Sequence, residues 1–314
     1  MLAGSKPLTC IPVSISCPNV IVVVLNWNNA SETIACLEAL TKISYPSHSI
    51  LIVDNGSTEG SVESIRNQYP TVNILPTGKN LGYAEGNNVG IRWAVSNRAD
   101  YVFVMNNDVR VAQDVLEPLI SAAECDPKIA FLGPKVFQLE MPDQIQSAGG
   151  KLDYLWRSNQ RGLDSTDIGH FETIEVVDYV IGAAVLVKAK LLAEIGLLDA
   201  DYFLYREDVD WCLRARRKGY RVVYVPEAKV WHRSLHVRES ELPRITYYLT
   251  RNSLLLLKKQ RAGFLRFFLV LLQHLRTAVS WTVKPKWREK RAERDALIKG
   301  ILDFFQGKVG QGYA

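Results

Sequence analysis

The stretch VIVVVLNW, residues 20–27, reads as a β-strand buried on both faces. Five consecutive β-branched residues leave no polar side for solvent, and the run stops at turn-forming polar residues. Outward from it, residues 31–41 have a helical pattern with Ser31 or Asn29 as cap. ILIVDNGS (50–57) is a second buried strand, followed by a helix over 59–68. VNIL (72–75) is a short strand, 83–97 a helix, YVFVMNND (101–108) a further strand and 113–123 a further helix. This β-α-β-α alternation predicts an α/β fold with a mostly parallel sheet and helices on both faces.

Ligands of such sheets sit at the carboxyl ends of the strands, and polar residues gather there. Asn26, Asn28 and Asn29 follow the first strand. Asp54, Asn55 and Ser57 follow the second, and Asn106, Asn107 and Asp108 close the strand at 101–108. Each loop alone is explained by turn chemistry; three at one sheet edge point to a shared polar ligand such as a nucleotide. Asp54 is suited to accept from a uracil or thymine imide, and Asp108 to meet a divalent cation on a diphosphate. KNLGYAEGNNVGI (79–91) adds Gly82, Gly86 and Gly90 and a helix start with free N–H groups, a weak signal for phosphate or ribose contact.

Further on, IEVVDYVIGAAVLV (174–187) is the longest apolar strand candidate, with a helix near 188–194. EDVDWCLRARRKG (207–219) is a helix closed by Gly219, and two short strands, YRVVYV and AKVWH, follow. Glu207, Asp208 and Asp210 crowd the start of that helix. They are explained equally by the helix dipole or by a general base aimed at a hydroxyl. His232 follows one hairpin later and is a candidate metal ligand.

The chain has 314 residues and a net charge of +5, distributed unevenly: residues 243–314 carry +11 and the remainder −6. An acidic body with a basic tail excludes a general nucleic-acid binder and leaves the tail to meet an anionic surface. Five cysteines without zinc-ligand spacing predict free thiols in a reducing cytosol. The N-terminus has no apolar core after Lys6, which predicts a loose lead-in over 1–18 and no signal peptide. The tail reads as helix over 241–305, interrupted near Gly263 and Pro285. Within it, FLRFFLVLLQHLRTAVSWTV (264–283) is long enough to span a bilayer. Arg266, Gln273, Arg276, Thr277 and Ser280 fall on one arc; Phe264, Phe268, Leu271, Leu272, Leu275, Ala278 and Val279 fall on the other. Spanning would bury Arg276 at a cost of about 2.5–3.5 kcal/mol. The expectation is therefore a helix in the membrane interface, with the basic flank KPKWREKRAER (284–294) on anionic lipid. The competing expectation packs the greasy arc on the body or on a second copy.

Taken together, VVVLNWNN, LIVDNGST, KNLGYAEGNNVGI, VFVMNND, SAGG (147–150), VIGAAVLVK, YFLYREDVDWCLRARRKGYR, VWH and RNSLLLLKK (251–259) resemble, in their joint order, the inverting glycosyltransferases of family 2 with the GT-A fold. The likeness covers about 20–310 and is greatest to a bacterial rhamnosyltransferase-type branch. It implies a catalytic domain over 19–242 and a helical, basic, membrane-associating region over 243–314. It also implies that Asp54 and the Asn26–Asn28 loop bind the base, with Asn55 among the nucleotide-sugar-binding residues. Asn80, Gly82 and Asn87 would serve the ribose or diphosphate, Asn106 and Asn107 would bind the nucleotide-sugar, and Gly182-Ala183-Ala184 would line the sugar and acceptor pocket. Asp208 would be the catalytic base with Glu207 beside it, and Asp108 with His232 would hold Mg or Mn. The chain departs from a full DxD motif: Asn106-Asn107-Asp108 keeps one carboxylate, and Arg110 stands where another acid would help.

The resemblance implies transfer of a sugar, with L-rhamnose from dTDP-rhamnose favoured, onto a hydroxyl of a glycan or lipid-linked acceptor in cell-surface polysaccharide synthesis. The enzyme would work in the cytoplasm, peripherally on the membrane. Two alternatives are a transferase using a UDP-sugar (galactofuranose or N-acetylglucosamine) and a non-catalytic nucleotide-sugar-binding scaffold.

Overall fold

The computed structural model describes residues 17–233 and 239–313. The expected lead-in over 1–18 therefore lies, but for Cys17 and Pro18, outside the described residues.

In chain order the elements are β1 (Val20–Asn26), α1 (Ala30–Leu40), β2 (His48–Asp54), α2 (Ser61–Gln68), β3 (Asn73–Pro76), α3 (Gly82–Ser96), β4 (Tyr101–Asn106), β5 (Val109–Val111) and α4 (Leu116–Glu124). Then follow β6 (Ile129–Gln138), β7 (Ile145–Ser147), β8 (Gly150–Leu152), β9 (Ser158–Gln160), β10 (Glu175–Val176), β11 (Ala184–Lys188), α5 (Leu192–Ile195), α6 (Glu207–Arg217) and β12 (Arg221–His232). Three helices close the described chain: α7 (Leu242–Lys259), α8 (Phe264–Val283) and α9 (Arg291–Phe305).

One sheet runs β10-β12-β6-β11-β4-β1-β2-β3. β1 is parallel to β2 and β4, while β11 lies antiparallel between β4 and β6. β1 explains the two-faced core. Ile21 and Val23 join the apolar cluster beneath α3, α6 and α7, while Val20, Val22 and Val24 join the cluster beneath α1 and α4. Each such side chain, fully buried, stabilises the fold by about 1.5–3 kcal/mol. The register sets Asn26 opposite Asp54 and Leu25 opposite Asn106, so the polar strand ends are level. Gly90 in α3 has its place for the same reason: a Cβ there would come within 2.3 Å of Val23, so it serves helix–sheet packing rather than a ligand.

Three expectations need correction. The apolar run 174–187 is not one strand. It breaks into β10 and β11 because the chain between them turns out of the sheet at Val177–Ala183, carrying Gly182 to the acidic helix. The two strands expected before His232 are one strand, β12, whose register slips between Val225 and Lys229. His232 is thus reached along a bulged strand and not a hairpin. Cys17, Cys36 and Cys212 are free thiols, but Cys125 is disulfide-bonded.

The faces of α8 also differ from the simple two-arc picture. Phe267, Val270, Leu271, Ala278 and Trp281 pack into the main core, whereas Phe264, Leu265, Phe268, Leu272, Leu275, Val279 and Val283 stay 46–83% exposed. Arg266 lies over the Tyr154 and Trp156 rings instead of facing water freely. Leu271 and Ala278 therefore leave the outward stripe, and Leu265 and Val283 join it. Among the described residues no helix is long and apolar enough to cross a membrane.

Candidate active site

Two adjoining hollows open at the level strand ends. One is lined by Trp27, Asn80, Gly82, Asn107, Asp108 and Arg244, among others; the second by Gln146, Gly182, Ala183, Glu207, Asp208 and His232, among others. Tyr83 and Asn106 line both.

Many of the residues marked out in the sequence build this edge from within. Asn26 is fully buried and donates to Asp54 Oδ1 (2.8 Å) and Ser57 Oγ (3.1 Å). The other Asp54 oxygen accepts the Ser57 N–H (3.1 Å). Asn28, in a left-handed conformation (φ 48°), accepts the Thr58 N–H. Asn55 donates to Asn80 Oδ1 and to the Gly82 carbonyl, fixing the turn into α3. Asn107 donates to Thr33 Oγ1 (2.9 Å) and to Asn26 Oδ1. Asn87 is buried and donates to the Tyr83 carbonyl. Gly82 is required on two counts: its φ is +81°, and a Cβ would meet Phe203 at 2.4 Å.

Asp108 and His232 come together across the chain because β12 pairs with β5, setting His232 opposite Val109. His232 Nε2 lies 3.2 Å from Asp108 Oδ1, a buried oxygen that has no hydrogen-bond partner. His232 Nδ1 lies 2.7 Å from Gln146 Oε1, an arrangement that places the proton on Nδ1, and the Nε2 lone pair faces the Asn106 amide nitrogen at 3.2 Å. An orphaned carboxylate oxygen beside an imidazole lone pair fits a divalent cation that keeps most of its waters. Among the described residues no group of three or more acidic, His or Cys side chains exists to hold one more tightly. Arg110 does not enter this site; it pairs with Glu32 at 2.8 Å.

The acids of α6 separate cleanly. Asp210 is committed to Arg214 (2.7 Å), Gln260 (2.7 Å) and the Tyr202 hydroxyl (3.2 Å), which removes it as a base. Asp208 Oδ2 accepts the Gly182 N–H (3.0 Å) and Oδ1 its neighbour's, that of Val209 (2.7 Å). Burial raises its pKa, with those two donors opposing the rise. Glu207 is 5% exposed and its Oε2 has no partner. Burial, reinforced by the Asp208 charge, holds it well above the ordinary carboxylate range. Burial raises both carboxylates, Glu207 the more strongly, while the two N–H donors on Asp208 favour its charged form.

The loop before these acids is strained. Phe203, Tyr205 and Arg206 all have positive φ (64°, 69° and 77°). Asn252 on α7 holds it, donating to the carbonyls of Tyr202 (2.9 Å), Leu204 (2.8 Å) and Tyr205 (2.9 Å). Arg251 adds bonds to the carbonyls of Asp201 and Tyr202. The expected boundary at 242/243 thus separates pieces that share this clamp. Sequence reading gave no role to Arg251, Asn252, Tyr83, Trp27, Gln146 or Arg244. RNSLLLLKK was the one signal for the first two.

A level polar edge over a mixed sheet, with an Asp–His pair suited to a cation and a pair of adjacent carboxylates at a helix start, defines a sugar-transferring enzyme of the GT-A type. The chain belongs to the glycosyltransferase-like family 2, whose pattern matches residues 18–252. Its relatives include the N-acetylglucosaminyl-diphospho-decaprenol L-rhamnosyltransferase of Mycobacterium tuberculosis, 31% identical over 219 residues, covering 60% of this chain and 67% of the relative. The dTDP-rhamnosyl transferase RfbF of Shigella flexneri is 22% identical over 255 residues, covering 79% of this chain and 82% of the relative. Among solved structures, the mannosyltransferase PcManGT of Pyrobaculum calidifontis, in complex with GDP-Man and Mn2+, shares the fold. Its TM-score is 0.59 at 17% identity, covering 96% of this chain and 91% of that one.

Proposed function

We propose that this glycosyltransferase moves L-rhamnose from dTDP-L-rhamnose to a hydroxyl of a lipid-linked or polysaccharide acceptor, inverting the anomeric configuration. The observation that carries the mechanism is the pair of N–H donors, from Gly182 and Val209, that orient the Asp208 carboxylate in the second hollow. Asp208, oriented by two N–H donors, takes the acceptor proton as the oxygen bonds to the anomeric carbon and that carbon's bond to the departing nucleoside diphosphate breaks. A single displacement needs one base and no covalent enzyme intermediate. The rhamnosyl donor rests on the names of the M. tuberculosis and S. flexneri relatives.

Asp108 and His232 would hold Mg or Mn, which when bound neutralises the donor diphosphate. Arg244, over the Trp27 ring at the rim of the donor hollow, adds a fixed cation there. A membrane surface is the third part of the reading. The bare apolar stripe of α8 runs into exposed Lys284, Lys286 and Arg288, a pairing suited to an anionic bilayer. Such a placement, on the cytoplasmic face, brings a lipid-linked acceptor to the site.

The test is a panel of dTDP-, UDP- and GDP-sugars assayed for thermal stabilisation and for hydrolysis without acceptor, with and without manganese. Stabilisation and hydrolysis specific to dTDP-rhamnose are expected. Preference for a UDP-sugar overturns the donor assignment, and binding with no turnover of any sugar nucleotide overturns the reaction.

A further inference from the structure

Tyr83 stands between the two hollows and lines both. Its backbone and its side chain reach the base from different directions. The N–H donates to the Phe203 carbonyl (2.7 Å), at the head of the strained loop that leads into Asp208. The hydroxyl donates to the Gly182 carbonyl (2.6 Å), and the N–H of that same glycine donates to Asp208 Oδ2 (3.0 Å). Two glycines make room for the bridge. A Cβ on Gly82 would come within 2.4 Å of the Phe203 ring, and one on Gly182 within 2.7 Å of the Tyr83 hydroxyl. Gly182 is not in the left-handed region, so what its missing side chain provides is clearance for that hydroxyl.

Gly182 lies in the connection between β10 and β11 that leaves the sheet, so its N–H is aimed by whatever holds that connection in place. A bond to the carbonyl on one side of its Cα fixes the direction of the N–H on the other. The hydroxyl itself does not exchange protons with substrate. It is committed to Gly182, and burial, with the Glu207, Asp208 and Asp108 charges nearby, holds its pKa well above the ordinary tyrosine value. Its contribution is geometric, and geometry is costly to lose: a misplacement of about 1 Å can lower a rate by about 100-fold.

We propose that Tyr83 is a positioning residue for the transfer step: its hydroxyl, acting through Gly182, aims the Asp208 carboxylate, and its place on the wall of the donor hollow ties that aim to the donor. The inference rests on the reading of Asp208 as the base. A sugar nucleotide seated against the Tyr83 ring presses the same side chain that orients the base, so donor and base come into register together. Arg206, Glu207, Tyr179 and Cys212 are the other titratable groups whose interaction with Asp208 is electrostatic, and all four survive removal of the Tyr83 hydroxyl.

The test compares Tyr83→Phe, Gly182→Ala, the double variant and Asp208→Asn in the full chain. Turnover is read as hydrolysis of the sugar nucleotide that the parent turns over fastest, with water in place of the acceptor hydroxyl. Calorimetric binding of thymidine diphosphate verifies that each variant is folded. Tyr83→Phe is expected to lower kcat by about 10–100-fold with the thymidine diphosphate Kd unchanged. The acid limb of its kcat profile should move to higher pH, because a slackened Gly182 N–H favours the charged form of Asp208 less. Gly182→Ala drives the hydroxyl away and should behave alike, and the double variant should be no worse than Gly182→Ala, since one interaction is removed twice. Turnover near the parent level in Tyr83→Phe overturns the proposal. So do a fall in kcat with the acid limb unmoved, which means structural support alone, and additive losses in the double variant. A raised Kd with kcat intact overturns it too and makes Tyr83 a donor contact. Full turnover in Asp208→Asn removes the base reading itself, and this inference with it, an outcome that none of the others imitates.

Discussion

The side-chain amide of Asn252 donates to the carbonyl of Tyr205, 2.9 Å away and three residues before the base Asp208. One amide group on a C-terminal helix thereby helps fix the entry to the catalytic helix. Asn252→Leu keeps the branching at Cγ and removes all three bonds to the loop. Each is worth about 0.5–1.5 kcal/mol net, so a clear loss of thermal stability is expected. Misplacement of the base should lower kcat by about 10–100-fold while the donor KM changes little. A fall in KM-limited binding with kcat intact would mean that the clamp serves the donor hollow instead.

Asp208→Asn should lower kcat by about 10²–10⁴-fold, the usual worth of a positioned base. Calorimetric binding of thymidine diphosphate should survive. Asp210→Asn separates the roles: it leaves Arg214 without its carboxylate and should cost stability more than turnover. Turnover in Asp208→Asn near the parent level would end the assignment.

Glu207 gives a pH prediction whose sign is fixed. Its folded pKa is raised above the ordinary Glu value of 4.5, so below that value both folded and unfolded chains are protonated and no penalty exists. As pH climbs above it the unfolded chain releases the proton first, and stability falls by about 1.4 kcal/mol per pH unit until the folded group titrates. Glu207→Gln should therefore be more stable than the parent at pH 8 by about 2 °C or more in Tm, with the difference closing toward pH 4. An equal Tm difference at both pH values would contradict this.

The cation site yields a graded series. EDTA should abolish transfer, and manganese should restore it. Asp108→Asn should raise the metal requirement most. Gln146→Leu, which frees His232 Nδ1, should weaken metal affinity by about 10–100-fold. Full activity in EDTA would leave Arg244 as the cation that answers the donor diphosphate.

Flotation with liposomes tests α8. Binding should require anionic lipid, weaken with salt, and fall in Phe268→Asp and Leu272→Asp, with basic flank residues each worth about 1 kcal/mol near the surface. Leu271→Asp should instead destabilise the fold, because Leu271 packs against the main core. Failure to float at low salt would reassign the stripe to contact with another protein surface.

The fold was legible because β1, β2 and β4 carry unbroken apolar runs that only a two-faced burial accommodates, and their polar ends mark one edge. The Asp108–His232 pair was legible in composition but not in geometry, since the bulge in β12 sets how far His232 travels. What escaped was support at long range. Asn252 reads as an ordinary polar helix residue until its three carbonyl partners, 47 to 50 positions earlier, are in place. The faces of α8 failed for a related reason. Periodicity gives the width of an apolar arc, but α7 and α9 decide which part of it is covered.

The family pattern ends at Asn252, the residue that grips the base loop. Its neighbour Arg251 also bonds the carbonyl of Gly310, and Gly300 of α9 lies so near α7 that a Cβ would come within 2.9 Å of the Tyr247 carbonyl. A fragment trimmed to the recognisable segment would keep every acid of the site but cut α7 at its middle and discard α8 and α9, which pack on it. For anyone cloning this protein, the recognisable segment and the expressible unit have different lengths, and an affinity tag fused close behind Gly310 would press on the same joint.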